Sequence, residues 1–147
     1  MNRKLNQLFS ISLFVKLVLA LAVPLALDEY YYYLWGQHLS LSYFDHPPMV
    51  GWMMNLSQAF HKFPEGAIRW PFIIISQLTV FIWYRILKDT LSREMLYWFV
   101  VTALLNPLWG MGGLIATPDI PLLFFWSLSL YYTQRLIQED TFTNYAM

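Results

Sequence analysis

Asp28 and Glu29 stand side by side after the first apolar run, Asp45 and His46 sit in the stretch FDHPP, and Asp119 sits in ATPDIP. A carboxylate held near a membrane surface is partly desolvated, which raises its pKa and suits it to act as a general base. Asp28, Glu29 and Asp119 are the candidate catalytic acids on that ground. Asp45 and His46 together offer two ligands to a divalent cation or two contacts to a phosphate, with Asp45 the candidate metal ligand. Arg69 is able to hold a lipid phosphate, and Tyr31, in the run of four tyrosines after the acid pair, is a candidate substrate contact. Each residue also has an ordinary structural use. Asp28 suits a helix cap with Glu29 complementing the dipole, and Asp45 suits a turn before Pro47 and Pro48. A lone His46 suits a structural hydrogen bond and Arg69 an interfacial anchor. Thr117, Pro118 and Asp119 together make a good helix start. The residue types leave both uses open.

The elements that must position these groups follow from composition. The 147 residues are 58% hydrophobic and 19% aromatic with only 12% charged, which is a membrane protein's balance. Nine basic residues offset nine acidic ones, and no run of Lys and Arg is long enough to follow a phosphate backbone, so nucleic acid is excluded as a partner. Without cysteine there are no disulfides or thiolate metal sites. The first apolar run holds Lys16 and lacks a small-residue cleavage pattern before Asp28, so it reads as a retained helix and not as a leader. Lys16 should face the helix bundle, since a lysine near mid-span costs about 2.5 to 3.5 kcal/mol on insertion scales.

Hydropathy and breaks predict an all-α polytopic membrane protein, a single domain over residues 1–147, with spans at about 8–27, 67–87, 95–108 and 120–136. Arg3, Lys4, Arg85, Lys88, Arg93 and Arg135 fall on one side of that layout, against Lys62 and Arg69 on the other, so the first side is expected to be cytoplasmic. The loop 28–66 and the segment 106–119 then face the outside, the periplasm in a bacterial inner membrane. Within 28–66, YYYYLWGQHL and VGWMMNLSQAF have helical spacing of aromatic and apolar residues, which predicts two interfacial helices. The GMGG of residues 110–113 lacks the lysine and strand context of a phosphate loop and reads as close backbone packing.

The Asp-Glu pair followed by YYYLW, then SYFDHPPMVGW, IRWPF and GGLIATPDIPLLFFW, resembles the amino-terminal part of the GT-C membrane glycosyltransferases, in the branch of the protein O-mannosyltransferases and lipid A aminoarabinose transferases. The resemblance runs over roughly residues 10 to 135. It implies transfer of a sugar from a polyprenyl-phosphate carrier to a lipid, glycan or protein acceptor at the outer membrane face. It further implies that Asp28 acts as general base or acceptor-orienting residue, with Asp45 and His46 in the same cavity and Asp119 completing an acidic cluster. Some members carry Lys where this chain has His46. Members of that family have many more spans, so the chain is expected to be a fragment or one part of a split enzyme, with a separately encoded carboxy-terminal part as partner. A transporter or lipid carrier protein would use similar polar residues but place acids within its spans, and a non-catalytic membrane subunit needs no acidic cluster.

Overall fold

The computed structural model describes residues 3–106 and 112–139, and those residues form helices and turns with no strand among them. Helix α1 is Arg3–Ala22, α2 is Leu27–Gln37 and α3 is Met49–Ser57, the last continued by a 3-10 turn at Gln58–Phe60. A second 3-10 turn at Glu65–Arg69 leads directly into α4, Trp70–Leu87. After it come α5, Arg93–Leu105, a 3-10 turn at Gly112–Leu114, and α6, Asp119–Glu139.

Helix α4 is the central element and packs against α1, α3, α5 and α6. Its two ends anchor two apolar cores. At one end Phe72 packs with Tyr32, Trp35 and Met54 of α2 and α3 and with Ile120 of α6. At the other, Val80 and Tyr84 pack with Leu5, Leu96 and Val100 of α1 and α5. The basic residues Arg3, Lys4, Lys88 and Arg93 flank the second core along the chain, and the acids of interest flank the first. Lys16 is 2% exposed and turns into the bundle, where its ammonium donates to Gln77 Oε1 at 3.2 Å while the Gln77 amide donates to the Phe9 carbonyl at 3.0 Å. A charge placed mid-helix is satisfied by a neighbouring helix and is kept away from the outer surface of α1, where Phe14 is 67% exposed.

Two stretches are long and apolar enough to cross a membrane, Arg3–Ala22 and the continuous helical stretch Glu65–Leu87. The first ends five residues earlier than the hydropathy suggests, because Pro24 has no N–H to continue the ladder and pushes Val23 out of helical geometry. Asp28 therefore belongs to the next helix and not to the end of the span. Helix α5 has 13 residues, a rise of about 20 Å against roughly 30 Å of hydrocarbon. Helix α6 has the length, at 21 residues, but Ser127, Ser129, Thr133, Gln134 and Arg135 dilute its apolar character. The expected third and fourth spans thus form helices at the expected places without the length and apolarity of the first two. Of the glycine run, residues 110 and 111 lie outside the described residues. Gly113 is buried, and a Cβ there would collide with the Ser76 hydroxyl and lie 3.2 Å from Ile73 Cα, so this glycine does serve close packing against α4.

Candidate active site

The break at Pro24 creates the scaffold of the site. Residues 23–26 lie between the two helices; the Val23 N–H is the last to bond back, to Leu19 O at 3.2 Å, which leaves the later carbonyls at the end of α1 without intrahelical partners. Arg69 fills them: Nη1 donates to Ala20 O at 3.3 Å and Val23 O at 2.8 Å, and Nη2 donates to Pro24 O at 2.8 Å. Its remaining donors go to Glu29, Nε to Oε1 at 2.7 Å and Nη2 to Oε2. Glu29 also accepts from the backbone N–H of Ala116 on Oε1 and of Ala26 on Oε2, both at 2.8 Å. Every guanidinium N–H is thereby used, and each carboxylate oxygen accepts two bonds. Both side chains are at most 1% exposed. One buried ion pair ties the end of α1, the start of α2, the entry to α4 and the segment before α6 to each other.

The capping of α2 changes hands accordingly. Ala26 is the residue before the first turn, and Glu29, three residues on, bonds back to its N–H. Asp28 makes no cap and is exposed. The sequence reading groups Glu29 with the catalytic acids and offers Arg69 to a lipid phosphate; in the structure the chain itself saturates both, leaving neither an acceptor nor a donor for substrate.

The three aspartates converge on one tyrosine. Burial first, then the charges of Asp28, Asp45 and Asp119, raise the pKa of the Tyr32 phenol. The charges of acids separated by 91 positions in the chain, from 28 to 119, therefore all act on one phenol, while each aspartate is itself exposed. Asp45 is held by Tyr31, whose hydroxyl donates to Oδ2 at 3.0 Å. His46 sets its ring edge-on to Tyr32, 5.7 Å between centroids, and to Trp35 at 6.2 Å. From there a cleft of about 320 Å³ opens between the start of α3 and the start of α6, lined by His46, Pro47, Met49, Asp119, Leu122 and Phe125. Its walls are apolar apart from one imidazole and one carboxylate.

Aromatic rings pack behind these groups. Trp35 stacks on Tyr43, 4.5 Å apart and 6° from parallel, and the Tyr43 hydroxyl lies 2.9 Å from the Trp35 carbonyl and accepts from the Ser40 N–H at 3.2 Å. Asn55 and Gln58 both donate to the Gly36 carbonyl at 2.9 Å, and a Cβ on Gly36 would stand 2.8 Å from the α3 backbone. That close approach is what sets α2 on α3 and thereby Tyr31 on Asp45. Tyr32 and Tyr43 are the residues that sequence reading did not single out; Tyr32 follows Asp28 at i+4, a spacing that puts both on one helix face. Among the described residues no three His, Asp or Glu side chains come together in an arrangement able to hold a metal ion. Asp45, the candidate metal ligand, accepts a hydrogen bond from the Tyr31 hydroxyl.

The profile of the family described as dolichyl-phosphate-mannose-protein mannosyltransferase matches residues 45–147, more than half of the chain, a stretch that holds Asp45, His46, Arg69 and Asp119. The chain belongs to that mannosyltransferase family. Consistent with a GT-C membership, it is 25% identical over 112 residues to the lipid A galacturonosyltransferase RgtD of Rhizobium johnstonii, an alignment that covers 74% of this chain and 23% of that protein. The chain thus spans about a quarter of the length of this relative. No solved structure matches the chain. Alongside this family membership the chain carries two helices long and apolar enough to cross a membrane.

Proposed function

We propose that the chain forms the acceptor side of a glycosyltransferase that takes a sugar from a polyprenyl-phosphate carrier and places it on a lipid, glycan or protein hydroxyl at the outer, periplasmic face of a bacterial inner membrane. The observation that carries this reading is the convergence of Asp28, Asp45 and Asp119 around Tyr32 at one end of the bundle, beside an apolar cleft. Isolated helix caps have no reason to meet.

In this reading Asp28 is the catalytic residue. Its carboxylate takes the proton of the acceptor hydroxyl as the acceptor oxygen bonds to the anomeric carbon, and the bond from that carbon to the carrier phosphate breaks, its electron pair leaving with polyprenyl phosphate. Attack from the face opposite the leaving group inverts the anomeric centre. Asp45, fixed by Tyr31, and Asp119 accept hydrogen bonds from the other acceptor hydroxyls, and His46 closes the apolar cleft beside them. If the acceptor group is a phosphate, no proton is removed and Asp28 orients. Glu29 and Arg69 act on none of these atoms. They are positioning residues that hold α2 at the angle that presents Asp28. Cationic groups that stabilise the leaving phosphate lie, in this reading, outside the acidic cluster and complete the site.

The test is transfer from a radiolabelled polyprenyl-phosphate sugar in membranes holding this chain together with the product of an adjacent reading frame. Asp28→Asn should lower transfer by about 10²- to 10⁴-fold, the usual worth of a general base, with the chain still inserted and folded. Transfer that survives Asp28→Asn within a few-fold would remove Asp28 from the chemistry.

A further inference from the structure

A second cavity, of about 270 Å³, lies on the opposite side of α2 from the acidic cluster. Tyr30 and Tyr33 of α2 form one wall, Phe60 and Phe63 of the following loop form another, and His61 and Glu65 are its polar groups. The Tyr30 hydroxyl donates to Glu65 Oε2 at 3.0 Å, which leaves the rest of that carboxylate open. No Lys or Arg among the described residues pairs with Glu65, and Lys62, three residues before it, is exposed and does not line the cavity. His61 Nδ1 stands 3.0 Å from the Gln58 carbonyl. A carbonyl only accepts, so the proton sits on Nδ1 and Nε2 of the neutral ring is an acceptor. The cavity therefore offers acceptors, a negative charge and four aromatic rings, and neither Lys nor Arg lines it.

That combination fits one chemistry. An ammonium group carries a positive charge for Glu65 and for the ring faces, and N–H donors for the carboxylate and for imidazole Nε2. Its depth identifies the carrier: the cavity is built at the end of α1 and the start of the helical stretch that enters α4, the ends of the two segments long enough to cross the bilayer, where lipid headgroups lie. Phe63 and Tyr30 are about half exposed there, so acyl chains have apolar surface to follow. We propose that this cavity binds the primary ammonium headgroup of a membrane lipid such as phosphatidylethanolamine. The site is separate from the acidic cluster and does not depend on sugar transfer.

Trp70 reports on it, because its ring packs against Phe60 at 5.1 Å and Phe63 at 4.9 Å. The chain is reconstituted into vesicles containing phosphatidylethanolamine or phosphatidylcholine with brominated acyl chains, and quenching of tryptophan fluorescence gives the relative affinity of the two lipids. Both lipids have zero net charge, and only the first has ammonium N–H donors. The expected result is a preference for phosphatidylethanolamine of about fivefold, the worth of a hydrogen bond that only the ammonium N–H can make to Glu65, since the rings and the charge attract both headgroups. Glu65→Gln should erase the preference, and Lys62→Gln, outside the cavity, should keep it. Far-ultraviolet circular dichroism checks that each variant remains helical. Equal quenching by the two lipids in the unaltered chain, or a preference retained in a helical Glu65→Gln, would overturn the proposal. Displacement of the brominated lipid by soluble phosphoethanolamine at a matching concentration would overturn the assignment to a membrane lipid.

Discussion

Adjacent acids in this chain have opposite fates. Glu29 is fully buried and bonded on both oxygens, whereas Asp28 faces outward with its carboxylate exposed. Removing one partner of a buried pair strands the other charge, so Glu29→Gln should cost about 3 to 5 kcal/mol of stability. Asp28→Asn should stay within about 0.5 kcal/mol. Thermal unfolding of the detergent-solubilised chain separates the two, and the double variant Glu29→Gln, Arg69→Gln should recover part of the loss. Equal stabilities of Glu29→Gln and the parent would remove the ion pair from the scaffold. A pH effect follows from Tyr31, whose phenol is held above its ordinary pKa of 10.0 first by the hydrogen bond to Asp45, then by burial and by the Asp45 charge. The folded chain keeps this proton where the unfolded chain releases it. The contribution to stability is therefore whole below pH 10.0 and is lost as pH rises through the higher folded value. Phenolate absorbance should show Tyr31 ionising late, and Asp45→Asn should bring it back toward the ordinary value.

At the scale of elements, glycine and proline decide how helices meet. Pro24 divides what hydropathy presents as one apolar run, and the opened carbonyls are the reason an arginine is buried at the entry to α4. Gly66 sits where a Cβ would collide with the Ala20 carbonyl, so the 3-10 turn before α4 lies flush on the end of α1. Gly36 plays the same part between α2 and α3. Gly36→Ala should push α2 off α3 at a cost of about 1 to 3 kcal/mol and lengthen the Tyr31 to Asp45 contact. Phenolate absorbance checks that: with Gly36→Ala the Tyr31 phenol, released from Asp45, should ionise closer to its ordinary value than in the parent chain. The spacing of YYYYLWGQHL and VGWMMNLSQAF predicts both short helices, α2 and α3. Which side of each faces its partner was not readable there, because a run of tyrosines is apolar on every face.

For the molecule as a whole, the layout puts basic residues beside one core and the acidic cluster beside the other, with exposed apolar side chains such as Phe14, Val18 and Leu122 along the outside of α1 and α6. By the positive-inside rule the acidic end is expected outside. A cysteine introduced at Gln37, exposed at the end of α2 in a chain with no cysteine of its own, should react with an impermeant thiol reagent added to intact cells. Labelling only after the inner face is opened would reverse the orientation and move the proposed chemistry to the other side of the membrane.

The amino-acid order by itself determined the helical class, the two long apolar segments, the inward turn of Lys16 and the motifs that mark the mannosyltransferase family, because these depend on hydropathy and on neighbours a few positions apart. Only the tertiary structure decided which acid of the Asp-Glu pair is spent on the scaffold. That choice rests on Arg69, 40 positions away, and on the Ala116 N–H, 87 positions away. It also decided that Asp28, Asp45 and Asp119 share one tyrosine, since no local periodicity couples the start of α2 to the start of α6. Spacing along the chain reports the face of one helix; the meeting of faces is set by where side-chain volume is absent and by which buried charge must find its partner.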